Sequence, residues 1–225
     1  MYKEISPYFE IYKEKFESFK ELLLNFNQKY NLTAICDEKE VYIKHFYDSI
    51  FPENLFEKDA KVIEIGSGGG FPSIPLKIIR DDLHFTLVES TGKKCEFLKT
   101  AVDKLGLKCV QVLNIRAEDG ARDKNLRERF DVVTARAVAR LNTLAEYCLP
   151  FVKEGGKFIA YKGDAEEEIK EAENAVKILG GEIEKVVNYE LFEGLGKRCA
   201  VVIKKVKSTP EKYPRGRGLE RKKPL

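Results

Sequence analysis

The run Glu182-Ile183-Glu184-Lys185-Val186-Val187-Asn188-Tyr189-Glu190-Leu191-Phe192-Glu193-Gly194-Leu195-Gly196-Lys197-Arg198-Cys199-Ala200-Val201-Val202-Ile203-Lys204-Lys205 holds two β-rich segments. Glu182–Glu190 and Arg198–Lys205 read as strands, with only Leu191–Lys197 between them. A parallel crossover needs roughly a dozen residues or more, so these two strands run antiparallel. Upstream, from Lys61, strand-like and helix-like runs alternate, which predicts a mainly parallel sheet with helices on both faces. Strands are expected at 61–65, 84–89, 109–113, 130–135 and 156–161, and helices at about 72–80, 91–105, 140–149 and 164–179. A parallel sheet that finishes on an antiparallel last strand departs from a plain dinucleotide-binding fold.

Before this domain, Ser6-Pro7 is an N-cap followed by a proline at a first helical position. Tyr8, Ile11, Tyr12, Phe16, Phe19, Leu22, Leu23 and Phe26 then recur at helical spacing, predicting one amphipathic helix to about Lys29. Asp37 and Glu40 resemble a capping box for a second helix through Tyr42, Phe46 and Ile50. The expected organisation is a helical cap over 1–55, an α/β domain over 56–206 and a tail over 207–225.

No apolar run approaches the eighteen or so residues of a membrane span, and Met1-Tyr2-Lys3-Glu4 lacks a signal-peptide pattern. Five scattered cysteines without a CxxC pair, and only two histidines, argue against disulfides and metal. A cytoplasmic protein is the expectation. The net charge of +3 conceals a division: residues 206–225 carry seven basic against two acidic residues, a net +5, leaving −2 on the rest. Such a tail is either a nucleic-acid footprint or a solvated, disordered extension.

The chemistry centres on Glu64-Ile65-Gly66-Ser67-Gly68-Gly69-Gly70-Phe71-Pro72, a strand end, a glycine turn and a helix start. Helix N-termini behind glycine turns present unpaired N–H groups and the positive end of the dipole. Phe71 stands where the GxGxxG dinucleotide fingerprint counted from Gly66 needs a glycine or alanine. Glu64 before Gly66-x-Gly68-x-Gly70 instead looks like the first motif of the AdoMet methyltransferases, and the antiparallel ending is the plan of their class I fold. In that fold Glu89, ending the second strand, is placed to accept from both ribose hydroxyls of the cofactor.

Ligands of open α/β sheets bind beyond the carboxyl ends of the strands, where Gly66, Glu89, Arg116-Ala117-Glu118 and Arg136 fall. Ala117 and Glu118 are candidates for adenine contacts, although the same spacing suits an Arg–Glu surface pair at a helix start. Phe71 either walls the pocket or fills core. At the end of the fourth strand, Asp131–Arg140 contains neither Asn/Asp-Pro-Pro-aromatic nor Pro-Cys, which disfavours exocyclic-amine and carbon-5 methylation. A target such as guanine N7 has a lone pair and no proton to remove, so in-line placement supplies most of the rate. Arg136 would touch the cofactor carboxylate or guanine O6, and is the candidate catalytic residue.

Taken together, Asn31-Leu32-Thr33-Ala34-Ile35, His45-Phe46-Tyr47-Asp48-Ser49, Gly66–Pro75, Leu87-Val88-Glu89-Ser90, Thr134-Ala135-Arg136-Ala137, Lys162-Gly163, Tyr213-Pro214-Arg215 and Lys222-Lys223-Pro224-Leu225 resemble the RsmG (GidB) family over nearly the whole length. These are bacterial methyltransferases acting on guanine N7 of 16S ribosomal RNA. The resemblance implies a class I AdoMet-dependent (Rossmann-like) fold, with a mainly parallel seven-stranded sheet, an antiparallel last strand and a helical cap.

It also implies S-adenosyl-L-methionine as cofactor, 16S ribosomal RNA or the small ribosomal subunit as partner, and a monomer. Its cofactor contacts carry over to Gly66, Phe71, Ala117, Glu118 and Arg136; Ser67, Gly68 and Glu89 complete the expected set. RNA-facing candidates are Asn31, His45, Lys162, Arg198 and Arg215. Ser73 replaces a usual glycine, and Arg215-Gly216-Arg217-Gly218-Leu219 is a looser version of the usual tail. Two other readings are a nicotinamide-dependent oxidoreductase, resting on the glycine turn and Glu89, and a non-catalytic RNA-binding module using cap and tail.

Overall fold

The structure is a computed structural model that describes residues 4–225; the N-terminal reading falls largely on Met1–Lys3, outside the described residues. Seven strands form one sheet in the order β3-β2-β1-β4-β5-β7-β6. They are β1 (Lys61–Ile65), β2 (His84–Glu89), β3 (Val110–Asn114), β4 (Phe130–Arg136), β5 (Val152–Lys162), β6 (Gly181–Glu190) and β7 (Lys197–Lys205). β7 pairs antiparallel with both β5 and β6, and the pairings among β1 to β5 are parallel. The short connection between the last two strands therefore forces the reversal expected of it. Strand β5 begins earlier than expected because the chain bulges opposite Phe130–Val132, with Gly155 at φ +80°.

Alternating side chains of each strand go to opposite faces, and the two faces carry two cores. Val62, Phe85, Leu87, Val132, Ile159, Tyr161, Ala200 and Val202 belong to one. Ile63, Ile65, Val88, Val133, Ala135, Phe158, Ala160, Val201 and Ile203 belong to the other. The second core is closed by α8 (Leu141–Cys148) and α9 (Glu166–Ile178), beyond the short α7 (Ala117–Gly120).

The first core is closed by the N-terminal helices together with α5 (Ser73–Ile79) and α6 (Gly92–Lys104). The single N-terminal helix expected from the periodicity is two: α1 (Tyr8–Ile11) and α2 (Lys13–Tyr30), separated where Tyr12 leaves helical geometry at φ −111°, ψ 31°. The apolar spacing carries across because the break lasts one residue. Helix α2 ends at Asn31 in the left-handed region, φ 47°. The second helix starts as α3 (Glu38–Glu40), where Asp37 caps the N–H of Glu40 at 2.9 Å, widens into a π-helix over Val41–Tyr47 and closes as α4 (Asp48–Ile50).

Phe9, Phe16, Phe19, Tyr42, Phe46, Phe71 and Phe97 meet in one aromatic cluster, with Phe9–Phe16 edge-to-face at 4.9 Å and Phe19–Phe46 stacked at 5.5 Å. Each such pair contributes roughly 0.5–1.5 kcal/mol beyond burial. The cap thus shares its core with the sheet; it is not a separately packed unit.

The tail departs from the solvated reading, with Thr209, Tyr213 and Glu220 buried, and the strand before it ends on a buried lysine. Lys205 is completely buried, and its ammonium donates to Leu149 O at 2.6 Å, Val152 O at 3.2 Å and Thr209 Oγ1 at 2.7 Å, with Glu128 at 3.1 Å. Burial lowers its pKa, and Glu128 opposes that shift. The chain then runs back over α8 to a last short helix, α10 (Leu219–Lys222).

Candidate active site

At the carboxyl ends of the strands lies a cavity of about 400 Å³ lined by Ile65, Gly66, Val88, Ser90, Ile115, Arg116, Ala117, Glu118, Val138, Tyr147, Gly218 and Arg221. Its floor is the turn after β1. Gly66 sits at φ +73°, and its N–H and that of Ser67 both donate to Val88 O, at 2.9 and 3.0 Å. A Cβ on Gly66 would lie 2.7 Å from Val138 Cγ2, so the glycine permits both the turn and the packing of the loop after β4. Glu89 locks the turn from the neighbouring strand: its carboxylate accepts from Gly68 N–H at 3.0 Å and Thr91 N–H at 2.8 Å.

One strand inward, Glu64 is wholly buried, and neither carboxylate oxygen has a well-formed hydrogen bond among the described residues. Burial pushes its pKa up to about 8, opposed in part by the nearby Ser73 and Ser67 hydroxyls and Arg136. An acid with a raised folded pKa binds a proton on folding. Stability is therefore lost as pH rises from the ordinary value of 4.5 toward about 8. Glu64→Gln is expected to abolish that slope. Urea unfolding at pH 5 and pH 8.5 checks this: the variant should gain on the wild type at the higher pH, and an equal difference at both would refute it.

Beside Glu64, Arg136 ends β4 at the centre of a buried polar network. Its Nη1 donates to Asp48 Oδ2 at 2.8 Å and Lys44 O at 3.1 Å, and its Nη2 to His45 Nδ1 at 3.0 Å. The guanidinium also lies 4.9 Å from the Phe71 ring centre. Because His45 Nδ1 accepts from an arginine, Nε2 carries the ring proton and donates to Thr33 Oγ1 at 2.7 Å. Burial first, and Arg136 second, hold the His45 pKa down at about 3, so the ring is neutral. Asp48 Oδ1 accepts from Tyr189 OH at 2.8 Å and has Arg198 Nε 3.8 Å away. The π-helical widening at Val41–Tyr47 thus delivers His45 and, just after it, Asp48 to one arginine.

A model of the family described as GidB, rRNA small subunit methyltransferase G, matches residues 12–194. The chain belongs to that family. Relatives named ribosomal RNA small subunit methyltransferase G include one from Lactobacillus johnsonii, 45% identical over 99% of this chain and 97% of its own length. Another, from Brevibacillus brevis, is 48% identical over 95% and 91%.

Among solved structures, the SAM-dependent O-methyltransferase of Thermotoga maritima aligns with TM-score 0.55 at 14% identity, over 84% of this chain and 73% of that one. Precorrin-6y C5,15-methyltransferase of Geobacter metallireducens aligns at 0.54 and 15%, over 71% and 87%. M. jannaschii TYW2, solved in complex with AdoMet, aligns at 0.54 and 16%, over 69% and 74%. The fold is the class I AdoMet-dependent methyltransferase fold, with its antiparallel last strand.

Within this member of the methyltransferase G family, Gly66, Ala117 and Glu118 line one cavity. Ser67 and Gly68 form the turn beneath it, and Glu89 faces that turn. Phe71 does not line the cavity; it is buried beneath it, stacked on His45 at 4.4 Å between ring centres. Arg136 is reached from Asp48, Lys44 and His45 and does not line the cavity either.

The RNA-facing candidates scatter. Asn31 caps α2. Lys162 is held by Glu168 at 2.7 Å and Ala139 O at 2.7 Å. Arg198 lines a separate opening with Lys197, Asn188 and Tyr189. Arg215 is tied to the buried Glu146 through Nη2 at 2.7 Å and Nε at 3.0 Å. Sequence reasoning missed Tyr147 and Arg221, which line the cavity, and Asp48 and Tyr189, which join the network around Arg136. Only Asp48 carried a signal, lying inside a motif quoted for the family resemblance.

No helix among the described residues is long and apolar enough to cross a membrane, and no group of three or more His, Cys, Asp or Glu among them is placed to hold a metal ion.

Proposed function

We propose that this protein transfers the methyl group of S-adenosyl-L-methionine to N7 of a guanosine in 16S ribosomal RNA. The observation that carries the cofactor is the cavity between Gly66 and Ala117-Glu118, with the unpartnered Glu64 buried beside the turn. Its volume falls in the range of roughly 300–1,000 Å³ common for small-molecule sites. A buried acid whose oxygens have no well-formed hydrogen bond among the described residues fits a ligand whose amino-acid end carries an ammonium group. Gly66, Ser67 and Gly68 would hold that end, Glu89 the ribose, and Ala117 with Glu118 the adenine. When bound, the cofactor supplies an electrophilic methyl on sulfur.

The choice of N7 is supported by what the side chains near Arg136 are able to do. His45, the one histidine there, has both ring nitrogens engaged, one donating to Thr33 and one accepting from Arg136. Its one basic lone pair, on Nδ1, is already engaged by the Arg136 N–H. N7 of guanine needs none taken, and its attack is driven by placement against the methyl group. Arg136, held by Asp48, would supply fixed positive charge beside Glu64, behind the cofactor turn.

The test is methylation of small subunits and of naked 16S RNA from cells lacking this gene, with labelled AdoMet and the purified chain, followed by chemical cleavage at N7-methylguanine. Label that maps to one guanine and is released by that cleavage is the expected result. Label on another atom would overturn the N7 assignment, and no label on either substrate would overturn the activity.

A further inference from the structure

We propose that the C-terminal segment is part of the cofactor site: Arg221 contacts the nucleoside of the bound cofactor, and Arg215 is the positioning residue that anchors the segment. The proposal rests on the AdoMet reading above. Its starting point is that Gly218 and Arg221 line the same cavity as Gly66, Ala117 and Glu118. The cavity is therefore closed in part by residues about 100 positions beyond the wall formed by Ala117 and Glu118.

The segment is built in. Glu146, 1% exposed on α8, takes both the backbone N–H of Arg215, at 2.8 Å, and its guanidinium. Arg122 donates to Pro214 O at 2.6 Å and Arg215 O at 3.2 Å. Arg127 donates to Thr209 O at 2.8 Å and Tyr213 O at 2.9 Å. Thr143 donates to Glu220 O at 2.9 Å, and the completely buried Glu220 carboxylate accepts from the Gly216 N–H. A segment that only trailed from the domain would not bury a carboxylate or draw two arginines from the loop after α7.

Arg221 links this segment to the cofactor turn. Its Nη2 donates to Val138 O at 3.3 Å, and Val138 is the side chain that packs against Gly66. Tyr147 stands beside it on the same wall; burial raises the pKa of that phenol, and a hydrogen bond with Arg221 opposes the rise. A planar guanidinium and an aromatic ring suit a purine, which they stack against or hydrogen-bond. The opposite wall, Ala117 and Glu118 after β3, leaves the nucleoside between the two. Arg215 does not line the cavity and is held in place by Glu146, with Arg122 on its carbonyl.

Calorimetry on the full chain with S-adenosylhomocysteine and with methylthioadenosine, which lacks the amino-acid end, tests the proposal. Arg221→Ala is expected to weaken both ligands by the same factor, about tenfold, with its unfolding midpoint retained. Arg215→Gln should weaken both as well, whereas Lys223→Ala, on the same segment and exposed, should bind as the wild type does. Arg221→Ala binding within about twofold of a competent wild type would overturn the wall and leave the cofactor reading standing. A loss confined to S-adenosylhomocysteine would overturn the nucleoside assignment. A wild type that binds neither ligand would instead remove the cofactor reading. Should Arg215→Gln fail to fold, Arg221→Ala still decides.

Discussion

Gly66→Asp is expected to reduce S-adenosylhomocysteine affinity by about a hundredfold or more, with methyl transfer lost in parallel. Two steric effects combine, and a charge adds to them. The backbone at φ +73° is left-handed, which costs an L-residue roughly 1–2 kcal/mol. The new Cβ would also stand 2.7 Å from Val138 Cγ2, and valine is stiff about its one side-chain torsion. Relief therefore moves Val138, which lines the cavity, into the space the ligand needs. The new carboxylate also adds bulk and a negative charge at the turn, where it would repel the carboxylate of the ligand's amino-acid end. Gly66→Ala separates the two causes: it keeps the strain and the close contact without the charge, and should lose less affinity. Calorimetry decides the matter, and Gly66→Asp binding within about threefold of the wild type would mean that the turn is not the cofactor floor.

How much of this was legible in the sequence depends on how far apart the cause and its partner lie along the chain. The reversal of β7 follows from a connection too short for any crossover, and the strand ends at Ile65 and Glu89 follow from local apolar runs. Gly66 was legible for the same reason, since its turn is specified by its neighbours.

Arg136 was legible as a residue but not in its surroundings. Its ion-pair partner is 88 positions away, and nothing in the periodicity of the cap says that the helix widens at Val41–Tyr47 to bring Asp48 round. Phe71 was left between wall and core because its place is set by Phe19, His45 and Phe46, all from the cap. The tail misled most. Its charge invited a solvated arm or a nucleic-acid footprint, whereas Arg215 is neutralised by Glu146, a carboxylate that composition counts elsewhere. Tyr213, now buried, was the signal against a solvated tail.

Asp48→Ala is the substitution in which the cap and the site should fail together. The Asp48 and Arg136 side chains are 5% and 13% exposed and 2.8 Å apart, so the pair is substantially withdrawn from water. Removing one partner of a buried pair costs about 3–5 kcal/mol, because the remaining charge stays buried without its counterion. Here the lower end is expected, about 3 kcal/mol, since Arg136 retains Lys44 O, His45 Nδ1 and the Phe71 face.

Tyr189 OH loses its 2.8 Å acceptor in the same step, leaving only Asp48 O at 3.4 Å. With one side of its clamp gone, the Arg136 guanidinium is free to swing toward the buried Glu64, the nearest unpartnered carboxylate. Misplacement of a positioned group by about 1 Å lowers turnover about a hundredfold, which is the loss expected in methyl transfer. Asp48→Asn keeps the shape and one acceptor, so it should lose about 1–2 kcal/mol and retain more activity.

Urea unfolding and single-turnover methylation measure the two effects, and the double variant Asp48→Ala/Arg136→Ala connects them. If the arginine acts through its pairing with Asp48, the two stability losses will be strongly non-additive, with the double variant more stable than their sum implies. Additive losses, or an Asp48→Ala variant within about 1 kcal/mol of the wild type, would show that Arg136 stands without the cap. The N-terminal helices would then be packing alone, with no hold on the residue at the end of β4.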